Sequence, residues 1–162
     1  MKKFTPIGKR TLKTAIAVIL SALTMEYIIK DTPFFACIGA VASVERTMKK
    51  SIEAAFIRNL ATAIGGVVGI VFSISTSNTI LLGLGVIPVI CVLNLFKKHE
   101  SIVPGCIVFF AVVYLNDTDT GWIYGIRRIS ETFIGSMIGL IINNIIKNPI
   151  EEIEVKGEIK PA

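Results

Sequence analysis

At 52% hydrophobic and 18% charged residues, with a mean hydropathy of +0.71, this chain of 162 residues lies outside the range of water-soluble domains, in which about 25% of residues are charged. The composition points to an all-α integral membrane protein and leaves no room among these residues for a soluble catalytic domain. The net charge of +5 comes from loops between apolar runs, so it reflects membrane topology and not a nucleic-acid surface.

The chain starts with Lys2, Lys3, Lys9 and Arg10 before an apolar run. No small-residue cleavage site follows, so this segment reads as an uncleaved first span over about 12–29. Further apolar runs cover about 33–45, 54–75, 79–96, 101–116 and 122–147, which predicts six transmembrane helices in one domain, 1–148, and a short charged tail, 149–162. The second and fifth runs are shorter than the roughly 20 residues a straight span needs. Each carries proline near its start, Pro33 in one and Pro104 followed by Gly105 in the other, and these are expected to break or tilt the helices at matching places. With the N-terminus inside, fourteen of the seventeen Lys and Arg residues fall on one side; the other side holds Lys30, Arg127 and Arg128 with Asp31, Asp117 and Asp119. Both termini are therefore expected in the cytoplasm.

Cys37, Cys91 and Cys106 lie inside apolar runs, where a thiol behaves as a small hydrophobe, and their spacing matches no metal site. His99, in Lys97-Lys98-His99-Glu100, reads as a solvated loop residue. No metal or cofactor is implied.

The segment Arg58 to Gly69 recurs, without gaps, as Arg128 to Gly139, with Arg, Thr, Ile and two Gly residues identical. The copies open the third and sixth spans, so an odd number of crossings separates them. The halves, about 10–75 and 79–147, are then two inverted three-helix repeats, an architecture common in secondary transporters. On a helix, Arg58, Thr62, Gly65 and Gly69 fall within about 60° of one another, as do Arg128, Thr132, Gly135 and Gly139. The glycines remove side chains over one turn and allow close helix packing. An arginine in a span normally reaches lipid phosphate, pairs, or faces a water-filled path. Its planar fork suits a carboxylate, so Arg58 and Arg128 are expected to mark an anion path with Thr62 and Thr132 beside them. Glu26 offers a partner to Arg128, Glu45 one to Arg58, and Glu131 one to Arg127 or Arg128; any of these carboxylates is a candidate for proton coupling.

From about Arg10 to Asn144 the chain resembles the aromatic acid exporter and fusaric acid resistance family of bacterial membrane proteins. The likeness is strongest in Arg10-Thr11-Leu12-Lys13-Thr14-Ala15, in Arg58 to Gly69, and in Arg128 to Gly135 leading to Asn143. It is also similar to the membrane part of plant aluminium-activated malate transporters. That resemblance implies six spans per subunit, a dimer, and path-lining arginines in the third and sixth spans, here Arg58 and Arg128. Many relatives continue into a cytosolic domain, whereas here only Ile150 to Ala162 follow Asn148-Pro149.

The expected protein is thus a homo-oligomer, a dimer first, in a bacterial cytoplasmic membrane, contacting lipids and a small organic anion but no nucleic acid. The expected activity is gradient-driven export of organic anions such as aromatic carboxylates. A passive anion channel and a non-transporting membrane scaffold are the alternatives. No phosphate-binding loop of the ATPase type occurs and no catalytic dyad can be assembled, so an enzyme is not expected.

Overall fold

The structure, a computed structural model, describes residues 8–97, 99–115 and 121–146. Lys2, Lys3, Lys98, Asp117, Asp119 and the tail 149–162 lie outside the described residues. Among the described residues the chain is helical with no strand. Helix α1 (Lys9–Leu23) continues into a π-helical turn (Thr24–Ile29). There follow α2 (Phe34–Ser43), α3 (Met48–Ser75), α4 (Thr79–Leu84), α5 (Val86–Leu95), α6 (Ile102–Tyr114) and α7 (Gly121–Ile145).

Two segments, Arg10–Ile29 and Met48–Ser75, are long and apolar enough to cross a membrane. The remaining apolar helices Phe34–Ser43, Thr79–Leu95 and His99–Tyr114 are shorter. At 10 residues α2 is only about 15 Å long, half of a hydrocarbon core of about 30 Å. The prolines act differently from one another. Pro33 immediately precedes α2, as its N-cap. Pro104 sits in the first turn of α6, where a missing N–H would have had no intrahelical partner, and the helix runs on through Gly105. The actual interruption lies in the fourth run, which the sequence reading took as continuous. Pro88 cannot donate to the carbonyl of Leu84 and its ring crowds that carbonyl, and α4 ends at Leu84 with Gly85 at the junction. A side chain at Gly85 would meet the Phe109 ring at 2.5 Å, so the junction is also closely packed.

Packing divides the chain into two compact units, one of residues up to 55 together with those from 134 on, the other of residues 56–133. The division falls inside α3 and inside α7. In the first unit, α1 and α2 run antiparallel: Cys37 Sγ lies 3.9 Å from the carbonyl of Val18, and Arg10 Nε donates to the carbonyl of Val44. The second half of α7 lies parallel to α2. A Cβ at Gly135 would run into the carbonyl of Ala36, and one at Gly139 would lie 2.9 Å from the carbonyl of Ala40. Ala17, Ala40, Val44 and Ile142 form the apolar core of this unit.

In the second unit, α3 lies parallel to α6. A Cβ at Gly65 would run into the carbonyl of Gly105, and one at Gly69 would lie 3.3 Å from the carbonyl of Phe109. Each long helix therefore sets two glycines, four positions apart, on two carbonyls four positions apart in a short helix. Leu82, Val89, Leu93, Phe109 and Val113 fill this unit's core, with Phe72 edge-on to Phe109 at 5.9 Å. The first half of α7 crosses α3 antiparallel, Gly66 against Ile129 and Gly125 against Ile70.

Burial is distributed unlike that of a soluble protein. Lys13, Ser21, Ser51, Arg58, Thr62, Arg128, Glu131, Thr132 and Asn143 are buried, while Tyr27, Ile28, Ile74, Ile80, Val103 and Leu95 are more than two-thirds exposed. Interiors normally collect the large aliphatic side chains and exclude charge.

Candidate functional site

The motif copies put both arginines in the second unit, Arg58 early in α3 and Arg128 in the first half of α7. Each is almost completely covered, 7% exposed for Arg58 and 5% for Arg128, and Thr62 and Thr132, one turn further on, are fully buried. The guanidinium groups are nevertheless in different chemical situations.

Arg128 is paired within its own helix through Nη2, although its Nε and Glu131 Oε2 make no hydrogen bond among the described residues. Its Nη2 donates to Glu131 Oε1 in a buried ion pair three positions along, and its guanidinium lies over the Tyr124 ring at 4.6 Å. The Thr132 hydroxyl donates to the carbonyl of Arg128 at 3.0 Å. Charge, quadrupole and backbone thus hold this copy in one arrangement.

Arg58 has neither of those neighbours. Seventy positions before Tyr124 and Glu131 stand Ala54 and Ala61, which can supply no ring and no carboxylate. The Nε and Nη2 of Arg58 are buried and have no hydrogen-bond partner among the described residues, and the same holds for Thr62 Oγ1. Nε and Nη2 are the two nitrogens of one edge of the guanidinium, the edge that grips a carboxylate with two parallel hydrogen bonds. A buried donor without an acceptor costs about 1–3 kcal/mol, more when charged, so this edge carries a large incentive to find an anion.

The carboxylates take other places than the pairing with Arg58. Glu45 bonds Arg10 at 2.9 Å. Glu26 is exposed on the π-helical turn. Glu131 pairs with Arg128. Cys91 is exposed, not buried as expected, and Cys37 and Cys106 are half-buried free thiols. Of the packing glycines, Gly65, Gly69, Gly135 and Gly139 all lie against neighbouring backbone or side chains, and Gly105 receives Gly65.

Sequence reasoning missed Tyr124 and the alanines that replace Tyr124 and Glu131 in the first copy. The signal was available at the same 70-residue offset, at a non-identical position of the aligned repeat for Glu131 and four positions before it for Tyr124. It also passed over Lys13, which is only 1% exposed and bonds Asn143.

Buried polar groups, outward-facing large aliphatic side chains and backbone-to-backbone helix packing through glycine together suggest a helical membrane protein. The family model described as aromatic acid exporter family member 1 matches residues 5–146, and the chain belongs to that family. A UPF0421 protein of Oceanobacillus iheyensis is 30% identical over 150 residues, which cover 92% of this chain and 43% of the relative. A UPF0421 protein of Staphylococcus epidermidis is 25% identical over 88% of this chain and 44% of its own length. The UPF0421 protein YgaE of Bacillus subtilis is 25% identical over 88% of this chain and 40% of its own length. The chain thus spans less than half the length of these curated relatives. No solved structure matches. Membership of an exporter family suggests a transporter and not an enzyme.

Proposed function

We propose that the protein is a bacterial membrane transporter that exports organic anions, aromatic carboxylates among them, down their gradient, and that Arg58 with Thr62 is its anion-recognition point. The observation that carries this reading is the buried edge of Arg58, whose Nε and Nη2 lack acceptors beside a fully buried Thr62 hydroxyl. A carboxylate with two oxygens satisfies both nitrogens and accepts from the hydroxyl one turn away. The rest of an aromatic acid is apolar and needs only an apolar surround.

In this reading α3 and α7 are related by a pseudo-two-fold axis in the membrane plane, and the matched glycine registers on α6 and α2 support it. Arg128 then marks the opposite half of the path, held by Glu131 until a competing carboxylate or a proton releases it. Both termini are cytoplasmic, and two copies of the chain associate.

The test is flux of radiolabelled benzoate in liposomes containing the full chain. Wild type is expected to give saturable flux, and Arg58→Lys, which keeps the charge and loses the fork, a large part of the loss seen in Arg58→Ala. Currents that do not saturate would assign a channel. Flux that is the same in wild type and Arg58→Ala would sink the arginine assignment.

A further inference from the structure

Helices α1 and α2 leave an open groove in the first unit. It holds about 540 Å³ and is lined by Arg10, Thr11, Thr14 and Ala15 of α1 and by Val41 of α2. The lining is polar toward the start of α1 and apolar at Ala15 and Val41. Arg10 Nε donates to the carbonyl of Val44 at 3.1 Å, and Nη2 pairs with the Glu45 carboxylate at 2.9 Å. Those contacts leave Nη1 to another acceptor. The ion pair is only part-covered, with 48% of the Arg10 side chain exposed, so a second anion can share the guanidinium without breaking a buried bridge. The Thr14 hydroxyl donates to the carbonyl of Arg10, and Thr11, exposed on the same turn, adds a second hydroxyl. Glu45 apart, the sequence that flanks this end is basic. Lys2, Lys3, Lys9 and Arg10 stand in a stretch with no acidic residue before Glu26, and Arg46, Lys49 and Lys50 follow the end of α2. The first turn of α1 carries no acidic residue, so the positive end of its dipole adds to the same field.

Away from that end the groove runs into an apolar stripe. Thr11, Ala15, Ile19 and Leu23 follow one another every four residues along α1, and all four are exposed. From Thr11 to Leu23 the helix rises about 18 Å, close to the roughly 15 Å of one hydrocarbon leaflet. This length separates the possible occupants. A small soluble anion uses the guanidinium and the hydroxyls and leaves the stripe bare, whereas a molecule with an anionic head and an acyl chain covers both.

We propose that this groove binds an anionic glycerophospholipid of the leaflet that the Lys and Arg bias assigns to the cytoplasm, its phosphodiester on Arg10 and the hydroxyls of Thr11 and Thr14, and one acyl chain along Ala15, Ile19 and Leu23. The phosphodiester presents charged oxygens that suit the guanidinium, and basic flanking sequence concentrates anionic lipid at that surface. Because Arg10 also holds Val44 and Glu45, the bound headgroup reinforces the packing of α1 on the end of α2. The inference rests on the membrane reading and is independent of the transported anion.

The experiment uses the full chain in detergent, with native mass spectrometry to read retained lipid and thermal melting to read affinity. Phosphatidylglycerol is expected to reach half-maximal stabilisation at a severalfold lower concentration than phosphatidylcholine with the same acyl chains, and equal values overturn the proposal. Arg10→Gln is expected to abolish the preference. Glu45→Gln breaks the same ion pair but keeps the guanidinium, and is expected to retain or sharpen it; equal loss in both variants would mean that Arg10 acts only through the pair, which overturns the proposal. Ala15→Phe fills the groove with every charge in place and is expected to lower lipid retention. Replacing Lys49 and Lys50 with Gln removes exposed charge outside the groove and is expected to keep the preference. A loss as large as that of Arg10→Gln would instead assign the preference to diffuse surface charge and overturn the groove. Glycerophosphoglycerol, the same headgroup without acyl chains, is expected to give no stabilisation at the concentrations where the lipid does. Stabilisation by it that depends on Arg10 would assign the groove to a soluble anion, and a change from dimer to monomer in Ala15→Phe with lipid retention intact would assign it to a second copy; either result overturns the proposal. Failure of the membrane reading is seen separately, as recovery of the chain outside the membrane fraction of cells.

Discussion

Arg58 and Arg128 occupy equivalent positions in the repeat, and stability measurements separate them. Arg128→Met removes the cation of the buried pair with Glu131, and breaking a buried pair in this way costs about 3–5 kcal/mol. Arg58→Met removes a buried cation whose Nε and Nη2 have no acceptor, and is expected to leave the melting temperature unchanged or raise it while lowering transport. Thermal melting of the two variants in the same detergent checks this; equal destabilisation would show that Arg58 is held as firmly as Arg128. The asymmetry was legible in the 70-residue offset, at one mismatched position inside the aligned segments, Ala61 against Glu131, and at one four positions before them, Ala54 against Tyr124. Ala54 and Ala61 against Tyr124 and Glu131 dictate which arginine can be paired within its own helix. The burial of Lys13 was not legible, because a lysine in the first turn of a span reads equally well as one that extends to the membrane surface. What covers it, Asn143, lies 130 positions away.

At the scale of the element, the glycines of the motif act through contact and not through conformational freedom. Gly65→Leu must push α3 off the backbone of α6, and Gly135→Leu must push α7 off that of α2, since the positions of their side chains are occupied by carbonyl groups. Both are expected to destabilise by several kcal/mol and to reduce yield of folded protein. Gly83→Ala is the control: nothing lies within 4 Å of a Cβ there, and near the end of α4 alanine gains at most about 1 kcal/mol over glycine. Size-exclusion profiles and melting curves of the three variants decide the matter; a Gly83→Ala protein that behaves like Gly65→Leu would mean that the effect is one of helix propensity. α7 follows its apolar run closely, whereas α1 starts at Lys9 and α3 at Met48, ahead of the runs over 12–29 and 54–75, because each carries charged residues in its first turns. The break at Gly85 was missed because Pro88 lies in the first turn of the next helix, and its effect falls on the carbonyl four residues earlier.

For the whole molecule, the proposed topology places the α3–α4 connection outside and the α5–α6 connection inside. Single cysteines at Ser77 and His99, in a background lacking Cys37, Cys91 and Cys106, are expected to react with a membrane-impermeant thiol reagent from opposite sides in intact cells and inverted vesicles. Labelling of both from one side would remove the alternation of spans on which the inverted repeat depends. The exposed Ile, Leu, Val and Phe side chains on every long helix require an apolar surround, which the proposed reading divides between lipid and a second copy. Native mass spectrometry of the detergent-solubilised chain is expected to give a dimer; a monomer at all concentrations would assign that surface to lipid alone.

The sequence by itself determined the helical class, the apolar character, the repeat and the family, because these depend on composition, on the period of hydropathy and on residues that stand close together in the chain. Which long helix packs on which short one, why one motif arginine is paired and the other has an open edge, and the burial of Lys13 against Asn143 were decided only by tertiary structure. Those properties depend on groups brought together from distant positions. The cost of a buried charge or donor can be assigned only when its acceptors are known.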